Sequence, residues 1–180
     1  MKTHIGLIRG INVGGKNMLK MADLKAMLAD LGIPDAQTLL QSGNFVFTAP
    51  DKPRKHLENW LKEETEKRLK VNPDYFVRTL EEWQKIVDAN PFPEMAKEDP
   101  SHLLVTLLKT PPDKKEVETI QAAIKGPEKI EPGAEHLYTT FPEGIGTSTI
   151  GKTPGYNKLA ATGTARNWNT VLKLANLARC

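Results

Sequence analysis

Along the first eighty residues the spacing of apolar positions changes period four times, and each change predicts an element. His4 to Arg9 (HIGLIR) is a short apolar run ending in the Gly-rich segment Gly10–Asn17, which reads as a strand entering a turn. Met21, Leu24, Leu28 and Leu31 then recur at spacings of three and four, one face of a helix with Asn17 suited to its N-cap and Gly32 and Pro34 at its end. Gln37–Gln41 and Asn44–Thr48 are two short runs around Ser42-Gly43, the punctuation of a hairpin. A second helix begins near Asp51 and Pro53, turns Leu57, Trp60, Leu61 and Leu69 inward and stops at Pro73, and Tyr75–Arg78 makes a fourth strand. The order is β-α-β-β-α-β, the split βαβ or ferredoxin-like arrangement, in which two helices cover one face of a four-stranded antiparallel sheet.

The second half starts the same pattern again. Thr79 with Glu82 forms a capping box ahead of the stripe Leu80, Trp83, Ile86 and Val87, and Asn90-Pro91-Phe92-Pro93 ends that helix. His102–Leu108 reads as a strand and Asp113–Lys125 as a capped helix with Val117, Ile120 and Ile124 inward. Lys129–Glu131 and His136–Thr140 form a hairpin around Pro132-Gly133. After Pro142 a Gly- and Thr-rich stretch leads to Gly163, and a final helix from about Ala165 carries Trp168, Val171, Leu172 and Ala175 on one face. The expectation is an α+β protein of two ferredoxin-like subdomains in tandem, residues 1–79 and 80–180, the second including the final helix.

Composition adds exclusions. With 180 residues, 39% hydrophobic and 26% charged, the chain is neither disordered nor fibrous. It shows no signal peptide or membrane span, so a cytoplasmic setting without a membrane partner is expected. Its single cysteine, Cys180, allows neither an intrachain disulfide nor a Cys-based zinc site. The net charge of +3 conceals an uneven distribution. Residues 1–22 hold Lys2, Arg9, Lys16 and Lys20 and no acid, while residues 144–180 hold Lys152, Lys158, Arg166, Lys173 and Arg179 and no acid. The two ends sum to +9 and the middle to −6, a distribution that suits either an anionic ligand or an ordinary solvated surface.

Four segments carry candidate chemistry. Gly146–Thr153 matches the phosphate-loop pattern GxxxxGK[ST] literally, but Pro154-Gly155 follow where a long helix is required, and no apolar strand ends in a metal-holding Asp. Gly10–Asn17 is a near miss in a better context, strand before and helix after. Gly14 and Gly15 there allow close backbone approach to an anion, Arg9 and Lys16 supply charge, and Asn12 and Asn17 supply hydrogen bonds; the alternative is a plain connector. Thr164 to Thr170 opens the last helix with Thr164, Arg166, Asn167 and Asn169, more polar groups than capping requires. Gln41, Ser42 and Asn44 flank the first hairpin turn, where turn chemistry explains them as well as ligand contact does. His4, His56, His102 and His136 lack ligand spacing, so no metal or cofactor is expected. No GxSxG elbow occurs, and Phe45 and Phe47, the only candidates for stacking on RNA bases, alternate as core residues do.

LIRGINVGGKN at Leu7–Asn17, Met21–Leu24, QSGNFVF at Gln41–Phe47, NPF at Asn90–Phe92 and TARNWNTVLKL at Thr164–Leu174 together resemble the bacterial family filed as domain of unknown function 1697. The resemblance spans nearly the whole chain and implies two ferredoxin-like α/β subdomains without an established activity. It weakens the literal phosphate loop. Where the family usually reads GIGRSKL, this chain has Thr147 and Thr149 at the Arg and Lys positions, and Gly151-Lys152-Thr153 falls in a variable insertion. The functional expectation is a small phosphate-bearing or otherwise anionic ligand held between the Gly-rich loop and the start of the last helix. Three alternatives remain: nucleic-acid binding by the same basic surface, a phosphotransferase or nucleotide hydrolase, and an interaction module without ligand. The sequence leaves oligomeric state open.

Overall fold

A computed structural model describes residues 1–180, a mixed α+β protein with two four-stranded antiparallel sheets. Its elements are β1 (Lys2–Arg9), α1 (Met21–Asp30), β2 (Gln37–Leu39), β3 (Asn44–Ala49), α2 (Arg54–Leu69), β4 (Asp74–Thr79), α3 (Leu80–Asp88), α4 (Pro93–Glu98), β5 (Leu103–Leu107), α5 (Lys114–Ala123), β6 (Lys129–Pro132), β7 (His136–Thr140), α6 (Tyr156–Ala160), β8 (Thr164–Asn167) and α7 (Trp168–Leu177). The sheets run β2-β3-β1-β4 and β6-β7-β5-β8, the same order in each half. No helix is long and apolar enough to cross a membrane.

The chain divides into two compact units, Met1–Lys85 with Lys173–Cys180, and Ile86–Leu172. This division lies six residues beyond the break expected at Thr79 and returns the end of α7 to the first unit. In the first unit β1 is central, with Ile5 opposite Val46 of β3 and Arg78 of β4. Ile8, Phe45, Phe47, Tyr75 and Val77 of the sheet pack with Leu24 and Leu28 of α1 and Leu57 and Leu61 of α2. Gly6 makes this packing fit, because a Cβ there would come within 2.3 Å of the Phe45 ring. In the second unit Val117 and Ile120 of α5 pack with Ile130, Leu137, Ile150 and Tyr156.

Local signals explain most boundaries. Thr79 and Glu82 form the capping box as expected, the Glu82 carboxylate accepting from Thr79 N at 2.8 Å and Thr79 Oγ1 from Glu82 N at 3.1 Å. Asp113 caps α5 through the amides of Lys115 and Glu116. Two expectations need correction. Asn17 does not cap α1, which starts at Met21 behind Lys20 without a side-chain cap; Asn17 instead takes φ 50° inside the preceding turn. The final helix begins at Trp168, not near Ala165, because Thr164–Asn167 pairs with Leu104–Leu107 as strand β8. Asn167 caps the helix, its Oδ1 accepting from Thr170 N at 3.0 Å. Two short helices lie where connections were expected: α4 with Pro93 in its first turn, and α6 in the Gly- and Thr-rich stretch.

Candidate functional site

The Gly-rich loop folds as a small hairpin. Lys16 N donates to Val13 O and Asn12 N to Asn17 O, both at 3.1 Å, around Gly14 and Gly15 at φ 58° and 73°. Positive φ at both central residues is the signature of a type I′ turn, which only residues like glycine adopt cheaply. The two asparagines hold its base. Asn12 donates to Leu19 O at 3.0 Å and Gln41 O at 3.2 Å and accepts from Leu19 N at 2.9 Å, and Asn17 donates to Gly10 O at 3.1 Å. Lys16 projects exposed beside them. Arg9, at the end of β1, bonds Asp74 at 2.7 Å, and Lys62 bonds the other oxygen of that carboxylate at 3.0 Å. Burial pushes Asp74 up, but the hydrogen bonds from Arg9 and Lys62 outweigh it and hold the carboxyl below the ordinary range. Asn44, fully buried, donates to Leu39 O at 3.0 Å and Ser42 Oγ at 2.8 Å, the turn-chemistry role.

At the C-terminal motif Arg166 folds back along its own strand, donating to Thr164 Oγ1 at 2.9 Å and Ala165 O at 2.8 Å. Burial pushes its guanidinium down to about 10. Thr164 is buried, and Asn169 is exposed on the first turn of α7. The sequence-derived residues thus gather into two clusters, Arg9 to Asn44 in the first unit and Thr164 to Asn169 in the second, each bonded largely to its own surroundings.

Four amides of the literal phosphate loop bond within residues 145–153. The amides of Ser148, Ile150, Lys152 and Thr153 are taken by Ile145 O, Ser148 Oγ, Thr149 O and Ile150 O. Ser148 also donates to the Glu128 carboxylate, which is 5% exposed, so an acid stands behind the turn. The same segment nevertheless aims useful groups outward. A single turn of 3-10 helix at Ile150–Lys152 sets Lys152 and Thr153 on the wall of a cavity of about 770 Å³, which Lys125, just beyond α5, also lines. Thr149, Ile124 and Pro154 also line it, and no acid does. The GKT tripeptide pointed at Lys152; nothing in the sequence singled out Lys125.

His4 is buried, its Nδ1 2.9 Å from Lys2 O and its ring stacked on Phe47 at 5.3 Å, and burial pushes its pKa down. His102 Nδ1 lies 2.5 Å from Asp99. No group of three His, Cys, Asp or Glu side chains is placed to hold a metal ion. Phe45 and Phe47 are core residues, 0% and 1% exposed, so the sheet offers no aromatic platform from them.

Among solved structures, a conserved bacterial protein, SP0830 from Streptococcus pneumoniae, has this fold, with a TM-score of 0.73 at 22% identity over 98% of both chains. No curated protein matches the chain in sequence. Residues 1–138 match the family described as protein of unknown function (DUF1697), so the chain belongs to that family.

Proposed function

We propose that this protein binds a small phosphate-bearing ligand, and that the cavity between the end of α5 and the 149–154 segment receives it. The observation that carries the reading is that Lys125, Lys152, Thr149 and Thr153 line one cavity without an acid on its wall. Two ammonium groups and two hydroxyls match the charge and acceptor count of a phosphate monoester better than those of a carboxylate. The volume of about 770 Å³ suits a small molecule, and Ile124 and Pro154 offer its body an apolar surface. A site shared by the Gly-rich loop and the start of α7 has less support, since Arg9 is already paired with Asp74 and Arg166 is bonded along its own strand. The reading assigns binding and no reaction. It takes a cytoplasmic setting from the single cysteine, and it takes the repeated strand order as two ferredoxin-like subdomains.

Thermal shift against inorganic phosphate, sugar phosphates, nucleotides and short oligonucleotides tests the reading. A ligand at a hundred times its dissociation constant adds about 2.7 kcal/mol and raises Tm by roughly 5–10 °C for a protein of this size. Lys125→Ala and Lys152→Ala should each remove most of that rise without lowering the ligand-free Tm. A rise with small phosphates that both variants retain would move the site away from this cavity, and one produced only by oligonucleotides and steeply reduced by salt would replace this reading with nucleic-acid binding.

A further inference from the structure

The first unit contains a second cavity of different chemistry, about 670 Å³ in volume, among the end of α1, the end of β3 and the start of α2. Its walls are apolar, with Leu31 and Ile33 after α1, Ala49 and Pro50 after β3, and Leu57 and Trp60 on α2. Ile33, Ala49 and Leu57 are at most 5% exposed, while Trp60 packs on the core with only part of its ring and leaves the rest toward the cavity. Gly32 keeps the mouth open. It ends α1 at φ 85°, donates to Ala29 O at 3.0 Å while Ile33 N returns to Leu28 O at 2.8 Å, and has nothing within 4 Å of where a side chain would begin.

The polar groups on the wall are few, and their sign is uniform. Lys52 and His56 stand exposed at the rim, Thr48 adds a hydroxyl, and no acid lines the cavity. The acid nearest in sequence, Asp51, is paired with Lys2 at 2.9 Å; Lys52 also borders a smaller neighbouring cavity lined by Asp51, Glu81 and Glu82. A largely apolar cavity with a few convergent polar groups is the usual form of a small-molecule site. The Lys52 ammonium and the His56 imidazole, with Met1 also on the wall, suit the carboxylate of an amphiphile. We propose that this cavity binds an amphiphilic monocarboxylate, an aliphatic or aryl chain seated on Trp60 and Leu57 with its carboxylate at Lys52 and His56. This site does not depend on the phosphate reading, since the two cavities lie in different units and share no residue.

Isothermal titration of the full chain with octanoate, octanol and octylamine tests the site. Octanoate should bind saturably and about tenfold more tightly than octanol, with octylamine weakest. Trp60→Phe should abolish the fluorescence change that octanoate produces, because Trp83 and Trp168 are 1% and 4% exposed. Lys52→Glu at an exposed position should reverse the order and favour octylamine, while Lys152→Ala should leave octanoate binding unchanged. A charge reversal that inverts the ligand preference cannot come from a structural role of Lys52. If Lys52→Glu unfolds the protein, Lys52→Gln should bring octanoate down to the affinity of octanol. Equal affinity for the three amphiphiles, absence of saturable heat, or octanoate binding indifferent to Lys52 would overturn the proposal.

Discussion

A side-chain amide offers two donor hydrogens and an acceptor oxygen, and Asn12 directs its amide to Leu19 O, Gln41 O and Leu19 N. Asn44 and Asn17 likewise turn toward main-chain carbonyls. A sequence cannot distinguish such residues from ligand-binding ones, because an asparagine that closes a turn and one that faces a ligand have the same composition and spacing. Arg9 presents the same ambiguity in charge, as its partner Asp74 is 65 positions away and invisible to local reading. That ion pair has a measurable signature. Asp74 is depressed in the folded state, so its contribution is present above the unfolded carboxylate range and is lost as pH falls through the folded value. In urea melts, the wild type should therefore lose stability relative to Asp74→Asn as pH is lowered from about 5 to 3. The side chain is 38% exposed, so the difference is modest and shrinks in high salt. A pH-independent difference would show that the pair adds nothing through ionisation.

At the level of elements, the edges of the sheets are where chain-local reading and structure diverge. β8 has four residues, Thr164–Asn167, with no apolar alternation, and is a strand because β5 presents an edge to it. Helix periodicity and capping boxes lie within a few residues of one another and were legible; partnership along an edge depends on a segment some sixty positions away and was not. β4 shows how the other sheet treats its edge. Val77 N, on this edge strand, donates to Glu58 Oε1 of α2 at 2.8 Å, and the same oxygen lies 3.9 Å from the Arg78 guanidinium. Glu58 and Arg78 are 7% and 3% exposed, so the pair is buried. Glu58→Ala should cost about 1–3 kcal/mol in chemical denaturation, because it removes the acceptor of the Val77 N–H. A loss below about 1 kcal/mol would mean that water replaces the carboxylate, as at an exposed pair.

For the molecule as a whole, the charge pattern along the sequence does not map onto the arrangement of charge in space. The acid-free end regions include Lys152, which reaches the cavity of the second unit, but the second lysine there, Lys125, comes from the acidic middle of the chain. The fold brings together charges that sequence averaging had separated. Recurrence of one strand order in both halves was legible because each half repeats β-α-β-β in its periodicities, whereas the closing strand of the second half was not. The Gly14-Gly15 turn has a further consequence for the architecture. Its base is closed by Asn12 and Asn17, and neither glycine has an atom within 4 Å of where a side chain would begin, so nothing beyond the tip depends on its length. The tip is accordingly a natural insertion point, a place where a reporter peptide can enter the chain while both sheets stay as they are. A ten-residue Gly/Ser segment between Gly14 and Gly15 should cost on the order of 1 kcal/mol in loop entropy and leave the circular-dichroism spectrum otherwise that of the parent protein.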